Sequence, residues 1–312
     1  MSSRTTGKAD SGLVLSNAPG PRGWRGLSRL PATALGMTPP PGLVLLSILS
    51  IQVGAALAIG LFPVLGASGT VFVRVALSAV LLLIATRLPL DRRLRDNAGL
   101  ILLFGAILAT MNLCFYQALA RIPLGIAVTI EFLGPLAVAV ATSRRLKDFL
   151  WIGLALGGVG LLTPDIGDSL DPIGVLFAAV TGACWAGFIL LSGRVGRIFP
   201  GGSGLALAMA VAALLLIPFG ALDSGPAFGD VNLLLIALGV ALLSTMIPYS
   251  LEFEALKRLP PRTYSVLITL EPAVAVMIGV ILLGETLGLR TAFAVACVTL
   301  AAIGATLTRG KP

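Results

Sequence analysis

FYQALARIPLGIAVTIEFLGPLAVAV, residues 115–140, is answered 137 residues later by EFEALKRLPPRTYSVLITLEPAVAVM, residues 252–277, with no gap between the two. In this register Arg121 meets Arg258, Pro123 meets Pro260 and Pro135 meets Pro272. Chance similarity among apolar helices is the competing explanation, but both prolines and the shared AL-x-R core fall in one register. Each copy runs from a tight basic turn with a proline into an apolar stretch of about the 20 residues that cross a bilayer. The chain is therefore read as two copies of one unit.

Working outward from the repeat, apolar runs predict ten spans, near 43–62, 70–87, 98–119, 124–142, 149–163, 173–191, 203–220, 231–250, 263–283 and 290–308. The expected fold is an all-α integral membrane protein of two inverted five-helix repeats, residues 37–163 and 164–312. Five is an odd number, so the second copy enters the membrane upside down. Inverted repeats of this kind carry substrate sites at their interface near the midplane. A basic stretch, residues 1–36, precedes them and reads as a disordered leader, with Met37 as an alternative start.

Composition agrees with a membrane as solvent. The chain is 57% hydrophobic and 12% charged, with a mean hydropathy of +1.00, against roughly 25% charged residues in soluble domains. The net charge of +8 comes from short loops, where Lys and Arg set topology rather than bind nucleic acid. With the N-terminus inside, every Lys and Arg except Arg74, Arg121 and Arg290 is cytoplasmic or in the leader. The opposite loops carry acids: Asp165, Asp168, Asp171, Asp223, Asp230 and Glu285. Both termini are thus expected in the cytoplasm.

The motifs SIQVGAALAIGLFPVLG (50–66), PLGIAVTIEFLGPLAVA (123–139), GACWAGFILLSG (182–193), STMIPYSLEFEALKRLPPRT (244–263) and LEPAVAVMIGVILLGET (270–286) resemble the drug/metabolite transporter superfamily. Within its EamA-type branch the chain is most similar to the threonine and homoserine exporters of the bacterial inner membrane, from about residue 43 to 308. The resemblance implies export of small neutral amino acids driven by the proton gradient.

Ionisable groups inside a bilayer are functional candidates by default. Glu131 lies four residues before Pro135, and Glu271 directly before Pro272. The repeat aligns Glu131 with Ile268, one turn from Glu271, so the two carboxylates are expected to face one cavity from opposite halves. Either pairs with a substrate ammonium or takes up a proton, the alternative being a structural carboxylate satisfied by neighbouring donors. Arg74 reads first as an outer-interface arginine snorkelling to lipid phosphate, with a substrate carboxylate as the other partner. Gln52, Asn112, Tyr116, Trp185, Ser244, Tyr249 and Tyr264 are polar groups within spans that line a cavity or glue helices together. Pro135, Pro248 and Pro272 act as hinges or set static kinks.

Several classes are excluded or disfavoured. The chain has no histidine, which removes imidazole catalysis, and Cys114, Cys184 and Cys297 have no metal-ligand spacing. Gly157, Gly158 and Gly160 read as close-packing glycines, since no nucleotide-loop motif accompanies them. A membrane enzyme would need clustered catalytic groups, and a scaffold has no use for a repeat inverted about the midplane. No cofactor and no metal are expected. The expected partners are a small amino acid or other small metabolite, protons and the lipid bilayer. Sparse aromatics, 6% of the chain, lean against a large hydrophobic drug.

Overall fold

The computed structural model describes residues 38–86, 92–141, 147–161, 171–199, 202–248, 251, 255, 267–286 and 288–308. Among its described residues helices predominate and no strand occurs. The helices are α1 (Pro40–Ile59), α2 (Phe62–Ala85), α3 (Arg92–Asp96), α4 (Ala98–Leu119), α5 (Leu124–Glu131), α6 (Leu133–Ala141) and α7 (Lys147–Leu161). After residues 162–170 follow α8 (Pro172–Ile198), α9 (Ser203–Gly220), α10 (Gly225–Gly229) and α11 (Val231–Ala241), which runs on into a π-helical turn, Leu242–Met246. The described chain ends with α12 (Glu271–Leu283) and α13 (Leu289–Thr308). The leader, residues 1–36, lies outside the described residues.

Five of these helices, α1, α2, α4, α8 and α9, are long and apolar enough to cross a membrane, each with a mean hydropathy of at least 2.1. Apolar stretches of 10–17 residues add Leu124–Val138, Val231–Met246, Glu271–Leu283 and Leu289–Gly304. Large apolar side chains point outward on many of them, including Ile84, Leu102, Leu190, Leu214, Phe293 and Leu300. A water-soluble surface does not carry apolar residues on this scale; lipid is the solvent that suits them.

Helix starts follow from local chemistry. Pro172 stands in the first turn of α8, where its missing N–H costs nothing, and Asp171 Oδ1 accepts the Ile173 N–H at 2.8 Å. Asp230 Oδ1 caps α11 through the Asn232 N–H at 2.8 Å. The second span differs from its sequence expectation. A helical piece already starts at Phe62 rather than near residue 70, and Gly66, at φ +62° and ψ 171°, kinks the chain, so that α2 consists of two helical pieces on either side of it. Only glycine takes that conformation without strain.

The fourth span is broken into α5 and α6 at Phe132. Pro135 has no N–H to give the Glu131 carbonyl four residues earlier, so the helical ladder lapses there. α8 crosses at this break. A Cβ on Gly182 would lie 2.6 Å from the Glu131 carbonyl oxygen, and one on Gly134 would overlap the Gly182 backbone. Two glycines facing each other allow that approach. α12 packs along α5 and against α1, while α9 packs on α2 and α4.

Candidate functional site

A cavity of about 390 Å³ lies among α1, α2, α4, the α5–α6 break, α8, α9, the π-helical turn and the start of α12. Its polar lining includes Gln52, Arg74, Asn112, Tyr116, Glu131, Ser244, Thr245 and Glu271. Trp185 joins them from α8, and Pro135 and Pro248 lie in its wall. Pro272 does not line it; it is buried in the first turn of α12. Tyr249 and Tyr264 lie outside the described residues. The cavity therefore takes residues from both halves of the chain.

The location of Arg74 corrects the snorkelling expectation. Arg74 stands eight residues past the Gly66 kink, in the longer helical piece of α2, and it is only 8% exposed. Its Nη2 donates to Asn112 Oδ1, and its guanidinium lies over the Tyr116 ring, 5.1 Å from the centroid. Asn112 is held in turn by its Nδ2 donating to the Leu108 carbonyl at 2.7 Å. The i, i+4 spacing of Asn112 and Tyr116 on α4 thus builds a cradle for one cation. Among the described residues no carboxylate pairs with it, and Arg74 Nε has no hydrogen-bond partner.

Opposite charge enters from the other side. Gln52 Nε2 on α1 donates to Glu271 Oε1 at 3.2 Å. Glu271 is 7% exposed and stands in the first turn of α12, where the helix dipole favours a negative group. Glu131 closes α5 at the break. Two carboxylates in one low-dielectric cavity repel unless a cation or proton sits with them.

The prolines also shape the wall. Pro135, Pro248 and Pro272 each withhold an N–H from the carbonyl four residues earlier, and those carbonyls belong to Glu131, Ser244 and Ile268, all cavity-lining residues. The π-helical turn before Pro248 shifts the register, so that Ser244 and Thr245 both reach the cavity. α1 supports this irregular backbone: Ser50 Oγ donates to the Leu243 carbonyl at 2.8 Å and Ser47 Oγ to that of Pro248 at 3.4 Å. Ser78 and Thr245 share a hydrogen bond of 3.0 Å.

The rest of the wall is apolar and more aromatic than the chain as a whole. Phe115, Phe132, Trp185 and Phe188 line it together with Tyr116, alongside Met111, Ile189 and Met209. Trp185 meets Phe132 edge-on, with centroids 5.5 Å apart, so its mid-span position is a ring contact rather than an interfacial anchor. Sequence alone points to Tyr116 and Trp185 but not to Thr245, Phe115, Phe132, Phe188, Met111, Ile189 or Met209. The regular helical count hides Thr245 behind Ser244, and apolar cavity and lipid faces look alike in a helix that is hydrophobic all round.

Known proteins place this arrangement. The threonine/homoserine exporter RhtA of Escherichia coli K12 is 44% identical over 276 residues, which is 87% of this chain and 92% of the relative. RhtA of Salmonella typhimurium LT2 is 44% identical over 269 residues, 85% of this chain and 90% of that one. The sequence profile of the EamA-like transporter family matches residues 172–307. The chain belongs to the EamA-like transporter family. A solved crystal structure only 18% identical superposes with a TM-score of 0.57, covering 86% of this chain and 96% of the other, which speaks to the fold alone. Family membership and the apolar helices together make this a multi-pass membrane protein, and its curated relatives are named as exporters.

Proposed function

We propose that this protein is a secondary exporter of small neutral amino acids of the threonine and homoserine kind, coupled to protons and working by alternating access in the bacterial inner membrane. The observation that carries the reading is the charge layout of one buried cavity: the Arg74 guanidinium, which pairs with no carboxylate among the described residues, on one side and two carboxylates, Glu131 and Glu271, on the other. A zwitterion complements it. Its carboxylate suits the Arg74 guanidinium, and its ammonium suits the side of the cavity where Glu131 and Glu271 lie. When no substrate is bound, a proton does the second job, which links substrate and proton to the same groups.

The two inverted five-helix repeats supply the motion. Each contributes a broken helix to the cavity, α5–α6 from the first and the stretch around Ile268 and Glu271 from the second. Rocking the repeats against each other exposes the cavity to either side in turn. The Lys/Arg distribution favours both termini in the cytoplasm, and the names of the relatives support the substrate class. The test is counterflow of labelled threonine and homoserine into proteoliposomes, with and without a proton gradient. Gradient-sensitive exchange above protein-free liposomes is expected; its absence from correctly inserted protein would remove the amino-acid reading.

One observation favours a second reading, export of another small metabolite or a drug. Aromatics are few in the chain, yet five of them gather at this cavity. Such a wall accepts apolar or aromatic groups. Competition of the same counterflow by leucine, phenylalanine and hydrophobic cations separates the two readings.

A further inference from the structure

Glu285 is an acid that the binding site does not use. α12 ends at Leu283, and Gly284 turns left-handed with φ +67°. The Glu285 N–H then bonds back to the Gly279 carbonyl at 3.0 Å, which fixes the turn. The side chain reaches across 161 residues of sequence to α5, where Oε1 accepts the Leu124 N–H at 2.7 Å and the Gly125 N–H also bonds the carboxylate. The other oxygen occupies the place that a Cβ on Gly279 would take. α5 has no cap of its own, because Pro123 precedes it and offers no side-chain acceptor. Burial pushes the Glu285 carboxyl above the usual carboxylate range, and the two backbone N–H groups draw it partly back.

Beneath this contact lies an apolar plug. Ala55 and Ala56 of α1, Ile126 and Ile130 of α5, and Ala275 and Ile278 of α12 meet there, all buried. Ala55 and Val128 touch the cavity at one end of the plug, and Leu124 and Leu283 lie at the other end, beside Glu285. The two helices clamped by Glu285 are the same two that carry the cavity carboxylates, Glu131 at the end of α5 and Glu271 at the start of α12. Parting α5 from α12 unseats the plug and opens the cavity to that face.

We propose that Glu285 is the gate latch on the face bearing residues 120–123 and 284–286, holding α5 against α12 while that face is closed and releasing them when it opens. This rests on the alternating access proposed above but not on any particular substrate. The face is the outer one in the orientation given there. An anionic acceptor on two helix N-terminal N–H groups makes bonds stronger than neutral ones, and its release exposes those donors to water, where they are satisfied again. The latch is therefore firm when shut and tolerable when open.

The experiment uses the full chain in sealed membrane vesicles, with Cys114, Cys184 and Cys297 replaced and Val128→Cys as reporter in the plug. A membrane-impermeant thiol reagent is applied from each face and the two labelling rates are compared, with no substrate present. Glu285→Ala is expected to raise the outer-to-inner rate ratio by about five-fold or more, and Glu285→Gln, which keeps an acceptor but no charge, to fall between. The melting temperature of each variant is read in parallel, because a purely structural cap lowers stability without moving the ratio. An unchanged ratio for both variants, in protein that labels from both faces, overturns the latch and leaves alternating access standing. Labelling from one face only, in every variant, overturns both.

Discussion

Gln52 Nε2 donates to Glu271 Oε1 at 3.2 Å, joining α1 to the first turn of α12 across 219 positions of sequence. Gln52 is 1% exposed, and its own Oε1 has no hydrogen-bond partner among the described residues. The amide thus orients the carboxylate with its donor and leaves an acceptor unused beside it, and an ammonium group satisfies both oxygens at once. Gln52→Leu removes the donor and the acceptor while keeping similar bulk. Threonine export is expected to fall about 10-fold, the scale of one lost hydrogen bond to a charged group. Efflux from loaded cells, normalised to membrane abundance, checks it; export within two-fold of the parent removes Gln52 from the site.

Arg74 gives a sharper contrast. Lysine at this position keeps the charge but loses the planar fork held by Asn112 and the Tyr116 ring. Arg74→Lys is expected to raise the half-saturating threonine concentration about 10-fold. Arg74→Met is expected to abolish counterflow without lowering the melting temperature, since it removes a buried charge that has no ionic partner among the described residues. Amino alcohols, which lack the carboxylate, should compete poorly against the parent protein. A Met variant that melts early yet transports normally per folded molecule would assign Arg74 to structure instead.

What could be read from the sequence divides along physical lines. Glu131, Glu271, Asn112 and Gln52 stand out because a polar group in an apolar run has few innocuous explanations, and the structure brings all four to one cavity. The depth of Arg74 was not legible, because hydropathy shows neither the kink at Gly66 nor the Asn112 and Tyr116 contacts that hold the guanidinium inside. The break at Phe132 was half legible: Pro135 announces a kink, but only the crossing of Gly182 shows what uses it. Glu285 read as one more acid in an outer loop. Its partner is a pair of backbone N–H groups, which leave no mark in a sequence.

That glycine crossing carries its own prediction. Gly182→Ala places a methyl group 2.6 Å from the Glu131 carbonyl oxygen, so α8 or the α5–α6 break must shift. Overpacking of this kind costs roughly 1–3 kcal/mol. A lower melting temperature in detergent is expected, together with a weaker affinity for substrate, because the displaced residue carries a cavity carboxylate. Gly187→Ala on the same helix is the control: its added Cβ comes no closer than 3.3 Å, to the end of the flexible Ile107 side chain. Equal losses at both positions would detach the effect from Glu131.

Glu131→Gln tests the coupling itself. If Glu131 and Glu271 share one positive charge, a substrate ammonium in one half of the cycle and a proton in the other, removing one carboxylate removes the need for the proton. The variant still has Arg74 for the substrate carboxylate and Glu271 for the ammonium, so it should bind and exchange threonine. It should lose the ability to move threonine uphill when a proton gradient is imposed. Counterflow within a few-fold of the parent, combined with gradient-driven transport at the level of empty liposomes, is the expected pair of results. Loss of both activities in well-folded protein would make Glu131 a binding group rather than the coupling group. Retention of both would move the coupling to Glu271, the other cavity carboxylate, whose Gln52 bond holds it from the opposite side.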